Sequence, residues 1–122
     1  MEKEEFLDRT KKFAIAVFKL VDKFPKSKAS DVVSYQLLKS SSSVAANHRA
    51  SYRAKSKLDF INKIKIVAEE SDESLFWLTF IQEIELIKND KDLDVLIKEA
   101  NELTAIFTSS LKTAKQNSLL TS

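Results

Sequence analysis

The chain has 122 residues, enough for one hydrophobic core and too few for two, and its 20 Lys and Arg against 18 Asp and Glu give a formal net charge of +2. With 43% hydrophobic residues, 31% charged residues, no Gly, no Cys and one Pro (Pro25), it reads as a water-soluble helical chain with few turns. The lack of Gly excludes a Walker loop, a dinucleotide-binding turn, a glycine-flanked nucleophile elbow and an ordinary EF-hand loop, and the lack of Cys excludes disulfides, thiolate zinc sites and a cysteine nucleophile. A lone His48 cannot build a multi-histidine metal site. The start, from Met1 to Glu5, is acidic and helix-forming, and no apolar run approaches about 18 residues, so neither a signal peptide nor a membrane span is supported and the chain is read as cytoplasmic.

Periodicity predicts a first helix from Lys3 to Lys23, with Phe6, Thr10, Phe13, Val17, Leu20 and Phe24 on its seam and Leu7, Ala14, Phe18 and Val21 widening the stripe. Pro25 ends it. Ser30 is the expected N-cap of a second helix, whose seam of Val33, Leu37, Ser40, Val44, Asn47, Ser51 and Ala54 is small and polar. The heptad continues on both sides of the Ser40–Ser43 run, which places those serines inside the helix at a propensity cost of about 1–2 kcal/mol. Asn47, on that seam, is expected to bond a neighbouring helix and fix register.

Ser56 and Asp59 have capping-box spacing and open a third helix running to about Lys88, with Ile61, Ile64, Ala68, Ser71, Leu75 and Leu78 inward. Phe76, Trp77, Phe80, Ile84 and Ile87 project from the opposite side, so that half is apolar almost all round and suits an oligomer interface. Asn89 or Asp90 starts a fourth helix with Leu93, Leu96, Ile97, Ala100, Leu103, Phe107, Leu111 and Ala114 inward, before a tail expected to fray over residues 116–122. The whole predicts an all-α fold, an antiparallel up-down four-helix bundle forming one domain over residues 1–122.

The stretch from Gln36 to Asn47 (QLLKSSSSVAAN), continued by Arg49, Arg53-Ala54-Lys55-Ser56, Asp59-Phe60 and the segment Glu70 to Leu78, with Arg9 to Ala14 upstream, resembles the bacterial four-helix-bundle family of the 23S rRNA intervening-sequence proteins. The chain departs from that family's pattern at Ser41 and Ala45, where glycine is common, and at Ala50, where an acid often stands. The resemblance implies a left-handed bundle assembling into a ring-like homo-oligomer, a pentamer. It extends to the accessory protein of diversity-generating retroelements, which implies nucleic acid and a reverse transcriptase as partners.

Charge is segregated along the chain. From Arg9 to Lys65 there are 14 Lys and Arg against three acids, and from Ile66 to Glu102 three lysines against 11 acids. Such polarity can hold bundle neighbours together, orient subunits or present a basic face to phosphate. Tyr35, Lys39, Arg49 and Arg53 share one face of the second helix, and Lys55, Lys57 and Lys63 follow it around the next corner, a set that suits RNA or single-stranded DNA. A solvated face with ion pairs to a neighbour accounts for the same residues. The acids Glu69, Glu70, Asp72 and Glu73 lack the Glu-x-x-His pairs of a di-metal bundle and read as a solvated or intersubunit patch. His48 with Ser43 and Ser51 has no identifiable oxyanion hole. The expectation is a non-enzymatic, homo-oligomeric bundle without metal or cofactor that binds nucleic acid, RNA first. The alternative is a protein–protein scaffold or accessory subunit whose charge segregation serves assembly alone.

Overall fold

The computed structural model describes the backbone of residues 1–121 and the side chains of residues 1–118. Four helices account for nearly all of it: α1 (Lys3–Val21), α2 (Lys28–Ser51), α3 (Lys57–Glu83) and α4 (Lys91–Thr121). Contacts link α1 to α2, α2 to α3, α3 to α4 and, most thinly, α4 back to α1, with no diagonal pair. Neighbours are antiparallel, because residue numbers fall along one helix as they rise along the next. Phe6 meets Phe107, Arg9 meets Glu99, and Lys23 meets Asp90 and Asp92 between α1 and α4. Ser40 meets Ser74 and Ser43 faces Glu70 between α2 and α3. The four-helix bundle expected from periodicity is therefore the fold, and among the described residues no helix is long and apolar enough to cross a membrane.

The predicted seams supply the core. Phe13, Val17 and Leu20, then Val33, Leu37 and Val44, then Ile64 and Leu78, and finally Leu93, Leu96, Leu103 and Phe107 are buried in one cluster, joined by Val67 and Ile81, which lie off the predicted α3 seam. Phe18, which the sequence places on the widened stripe of α1, is instead 47% exposed, since α1 has only two neighbours and both contact its other side. Serines fill the α2–α3 seam: Ser40, Ser41, Ser71 and Ser74 are buried, and the Ser74 hydroxyl lies 2.9 Å from that of Ser40 across the interface. Ser40 and Ser41 return their protons to the carbonyls of Leu37 and Leu38, so the serine run stays helical with its hydroxyls satisfied inside the helix.

Element ends are set by side-chain and backbone caps in a chain without glycine. Ser27, three residues before the expected Ser30, caps α2: its backbone is extended and its hydroxyl accepts the Ser30 N–H at 3.0 Å, which draws Ser30 into the buried first turn. Ser56 caps α3 as expected, accepting from Asp59 N–H, while the Asp59 carboxylate reaches Lys55 N–H. The end of α3 comes at Glu83 rather than Lys88. Glu85 turns left-handed at φ 54°, Leu86 N–H reaches back to the Ile81 carbonyl and Glu85 N–H to that of Gln82, forming a Schellman motif. Asn89 takes φ 52°, and Asp90 accepts the Leu93 N–H to start α4. That helix continues through Thr121, past the Gln116 at which the sequence places a frayed tail, and Ser122 lies outside the described residues.

The inward step on α2 after Val44 goes to His48 rather than Asn47. Asn47 is half-buried and its amide donates to Ser43 O and Ser43 Oγ at 3.0 and 2.9 Å, so the bond expected to cross to a neighbouring helix is made one turn back in its own. His48, 1% exposed, makes the inter-helix contact: its Nδ1 lies 2.8 Å from Thr10 Oγ1 of α1. Its ring sits 4.3 Å from Phe6, 5.0 Å from Phe107 of α4 and 5.5 Å from Tyr52. Burial among these rings lowers its pKa from 6.5 to about 4, so the imidazole is neutral at pH 7.

Two expected outcomes follow from these features. Glu85→Gly should raise stability by about 0.5–1 kcal/mol in urea unfolding, because a left-handed residue without a Cβ escapes the steric cost; an unchanged midpoint would show that the turn is unstrained. Protonation of His48 is suppressed only in the folded state. Its contribution is therefore complete above pH 6.5 and is lost as pH falls to about 4, a drop of about 3 kcal/mol. His48→Leu should remove that acid-side step from a pH series of unfolding midpoints, and a variant with the parent's acid dependence would assign the step to other groups.

Candidate nucleic-acid interface

The antiparallel order brings the α2–α3 connection, the start of α1 and the end of α4 to one end of the bundle. Arg49, Arg53, Lys55 and Lys57 are exposed there, and Tyr52 stands among them with Lys3 Nζ 4.8 Å from its ring centroid. Tyr52 was not singled out from sequence; it follows the last turn of α2 and packs against His48, the contact that fixes its ring. Burial and the charge of Glu4 raise its phenol above the usual range.

The seven residues assigned to this face by sequence do not form one patch. Tyr35 is exposed but lies 14 residues before Arg49, about 21 Å away along the helix axis. Lys39 stands between them and its charge acts on Glu70 of α3. Lys63 is half-buried and holds Asp59 at 2.9 Å, and with the Lys55 N–H it keeps the Asp59 carboxyl below the usual range. Arg49 and Arg53 make no ion pair among the described residues. The exposed cluster that can meet a ligand is thus Arg49, Arg53 and Lys55, with Lys63 neutralising Asp59 beside Lys55 while Glu4 and Asp8 share a groove with Arg49. Arginine guanidinium groups can take phosphate oxygens in pairs, while lysine ammoniums act as point charges.

The opposite charge lies on α3 and α4. Glu69 and Asp72 are exposed, and Glu70 is half-buried, where burial and the adjacent Glu73 carboxylate raise its carboxyl while Ser43 and Lys39 oppose the shift. Among the described residues no three His, Asp or Glu side chains converge as a metal site. The five apolar residues placed opposite the α3 seam separate into two groups. Trp77 and Phe80, within α3, are half-buried against the bundle's own core, and the early end of α3 brings Leu86 and Ile87 back onto it as well. Phe76, 54% exposed, and Ile84, 43% exposed, remain outside. Phe76 borders a groove of about 610 Å³ between α3 and α4 that also holds Leu75, Ile97, Asp72 and Asp94.

Comparison with known proteins agrees with this architecture. A solved structure, described as a protein of unknown function from the S23 ribosomal protein family of Bacteroides thetaiotaomicron, superposes with a TM-score of 0.80 at 28% identity, covering 92% of this chain and 99% of that one. No curated protein matches the chain. The profile of the family described as 23S rRNA-intervening sequence protein matches residues 2–109, nearly the whole bundle. The chain belongs to the 23S rRNA-intervening sequence protein family.

Proposed function

We propose that this protein is a non-enzymatic, cytoplasmic, homo-oligomeric bundle that binds nucleic acid, RNA first, through the basic end where α2 meets α3. The observation that carries this reading is the exposed cluster of Arg49, Arg53 and Lys55, whose arginines are unpaired among the described residues. Cations left in water at one end of a rigid bundle are available to phosphate, and they position a backbone without reading bases. Membership of a family named for sequences within 23S rRNA makes RNA the first nucleic acid to test.

Self-association rests on a different surface. Phe76 stands beside Asp72 and Asp94, and Ile84 is exposed about two turns further along the same helix region, an apolar and acidic strip that complements the basic, partly apolar outside of α1 and α2, where Ile15, Phe18 and Val32 are exposed. Head-to-tail contact between these faces closes a ring, and a pentamer is the form the family resemblance implies. The same strip favours a second reading, a scaffold that docks a protein such as a reverse transcriptase.

Replacing Arg49 and Arg53 together by Glu should weaken binding to a mixed RNA pool by roughly 10- to 100-fold at low salt, with helicity and assembly unchanged. Parent-like affinity would remove the basic end from the account, and collapse to monomers would assign the arginines to a subunit contact and favour the scaffold. Light scattering of the parent at micromolar concentration should exceed the 13.9 kDa of one chain, and Phe76→Glu with Ile84→Glu should return it to that mass. A monomeric parent would contradict self-association.

A further inference from the structure

Beside the arginines, the α2–α3 connection and the last turns of α4 enclose a groove of about 470 Å³. Ala54, Phe60, Ile61 and Ala114 give it apolar walls, and Lys55 is on its lining. Its volume falls within the about 300–1,000 Å³ of small-molecule sites, which admits one nucleotide but no duplex.

We infer that this groove receives a single unpaired base of a bound RNA strand, set against Phe60 and Ile61, with the flanking phosphates on Arg53 and Lys55. The inference rests on the reading of the basic end as a nucleic-acid surface and adds the form of RNA it selects. An apolar slot opening directly onto a cationic rim calls for a ligand that is flat and apolar in one part and anionic in the next, which is the chemistry of a nucleotide in a strand. Asp59, at the start of α3 beside Lys55, is engaged by Lys63 and the Lys55 N–H, so it does not set a free negative charge against the phosphates. Tyr52, which also lines the groove, is braced by His48 and Lys3, so the slot keeps its shape without a ligand. Apolar walls stack or pack against any base, and the site therefore selects unpaired over paired RNA with little preference for sequence.

The test measures fluorescence anisotropy of a short unstructured RNA strand and of a blunt RNA duplex of equal length, at low salt, with the full chain. Ala114→Phe fills the slot from α4 and Ala54→Phe fills it from the α2–α3 connection, and neither changes a charge. Each filled variant with parent-like circular dichroism should bind the single strand roughly tenfold more weakly and the duplex as the parent does. Unchanged single-strand affinity in the folded variants overturns the inference, as does an equal loss for strand and duplex. Binding of poly-glutamate that the filled variants abolish also overturns it, by assigning the slot to an acidic peptide. If Arg49→Glu with Arg53→Glu weakens both RNAs while filling weakens neither, the subsite fails and the basic surface stands. If the parent binds neither RNA, both fail together.

Discussion

His48 meets three helices at once: it comes from α2, its Nδ1 is hydrogen-bonded to Thr10 of α1, and its ring lies against Phe107 of α4. The α1–α4 seam is the thinnest of the four, and near this end it is held by Phe6 stacked on Phe107 and by the paired bonds from Arg9 to Glu99. A buried imidazole in that position must stay neutral, because burial costs the charged form far more than the neutral one. Once it is neutral, the same ring braces Tyr52 from below and so fixes the wall of the basic end. One unprotonated side chain thus links the closing seam of the bundle to the shape of its exposed cationic end.

A second economy lies between α2 and α3. Serines at Ser40, Ser41, Ser71 and Ser74 put small side chains where two long helices meet, and most of their hydroxyls are satisfied by carbonyls one turn back. Small residues let the backbones approach, at the cost of transfer energy that leucines would have supplied. The compensating apolar burial comes from the aromatic cluster near His48 and from Trp77 and Phe80 at the other end of the bundle.

Most of the fold was legible because long helices repeat their apolar residues over many turns, and Phe13, Val17, Leu20, Leu37, Val44, Leu78, Leu103 and Phe107 all fell inward where their spacing placed them. Local competition set the differences. Ser27 and Ser30 are both competent caps, and only the chain path after Pro25 makes Ser27 the one with an extended backbone. Asn47 and His48 are adjacent on the seam, and a three- or four-residue step from Val44 is equally allowed by periodicity; the aromatic pocket that selects His48 is made by residues some 40 and 60 positions away. The early end of α3 was hidden because Glu85 occupies the left-handed position that glycine usually marks. In the candidate site, charge and helical phase found the arginines, but they could not show that Lys63 is spent on Asp59 or that Tyr52 stands among them.

The two charge blocks of the sequence meet where Arg9 pairs with Glu99 and Lys23 with Asp90 and Asp92, and elsewhere they leave an exposed basic cluster at the α2–α3 end and exposed acids along α3 and α4. The proposed function assigns the first to phosphate and the second to protein. Mapping backbone amide shifts during titration with single-stranded RNA tests it most directly. The account predicts perturbations concentrated from Arg49 to Lys57 and around Ala114, with the strip of Asp72, Phe76 and Asp94 unmoved. Perturbations centred on that strip, or none at any RNA concentration, would contradict it.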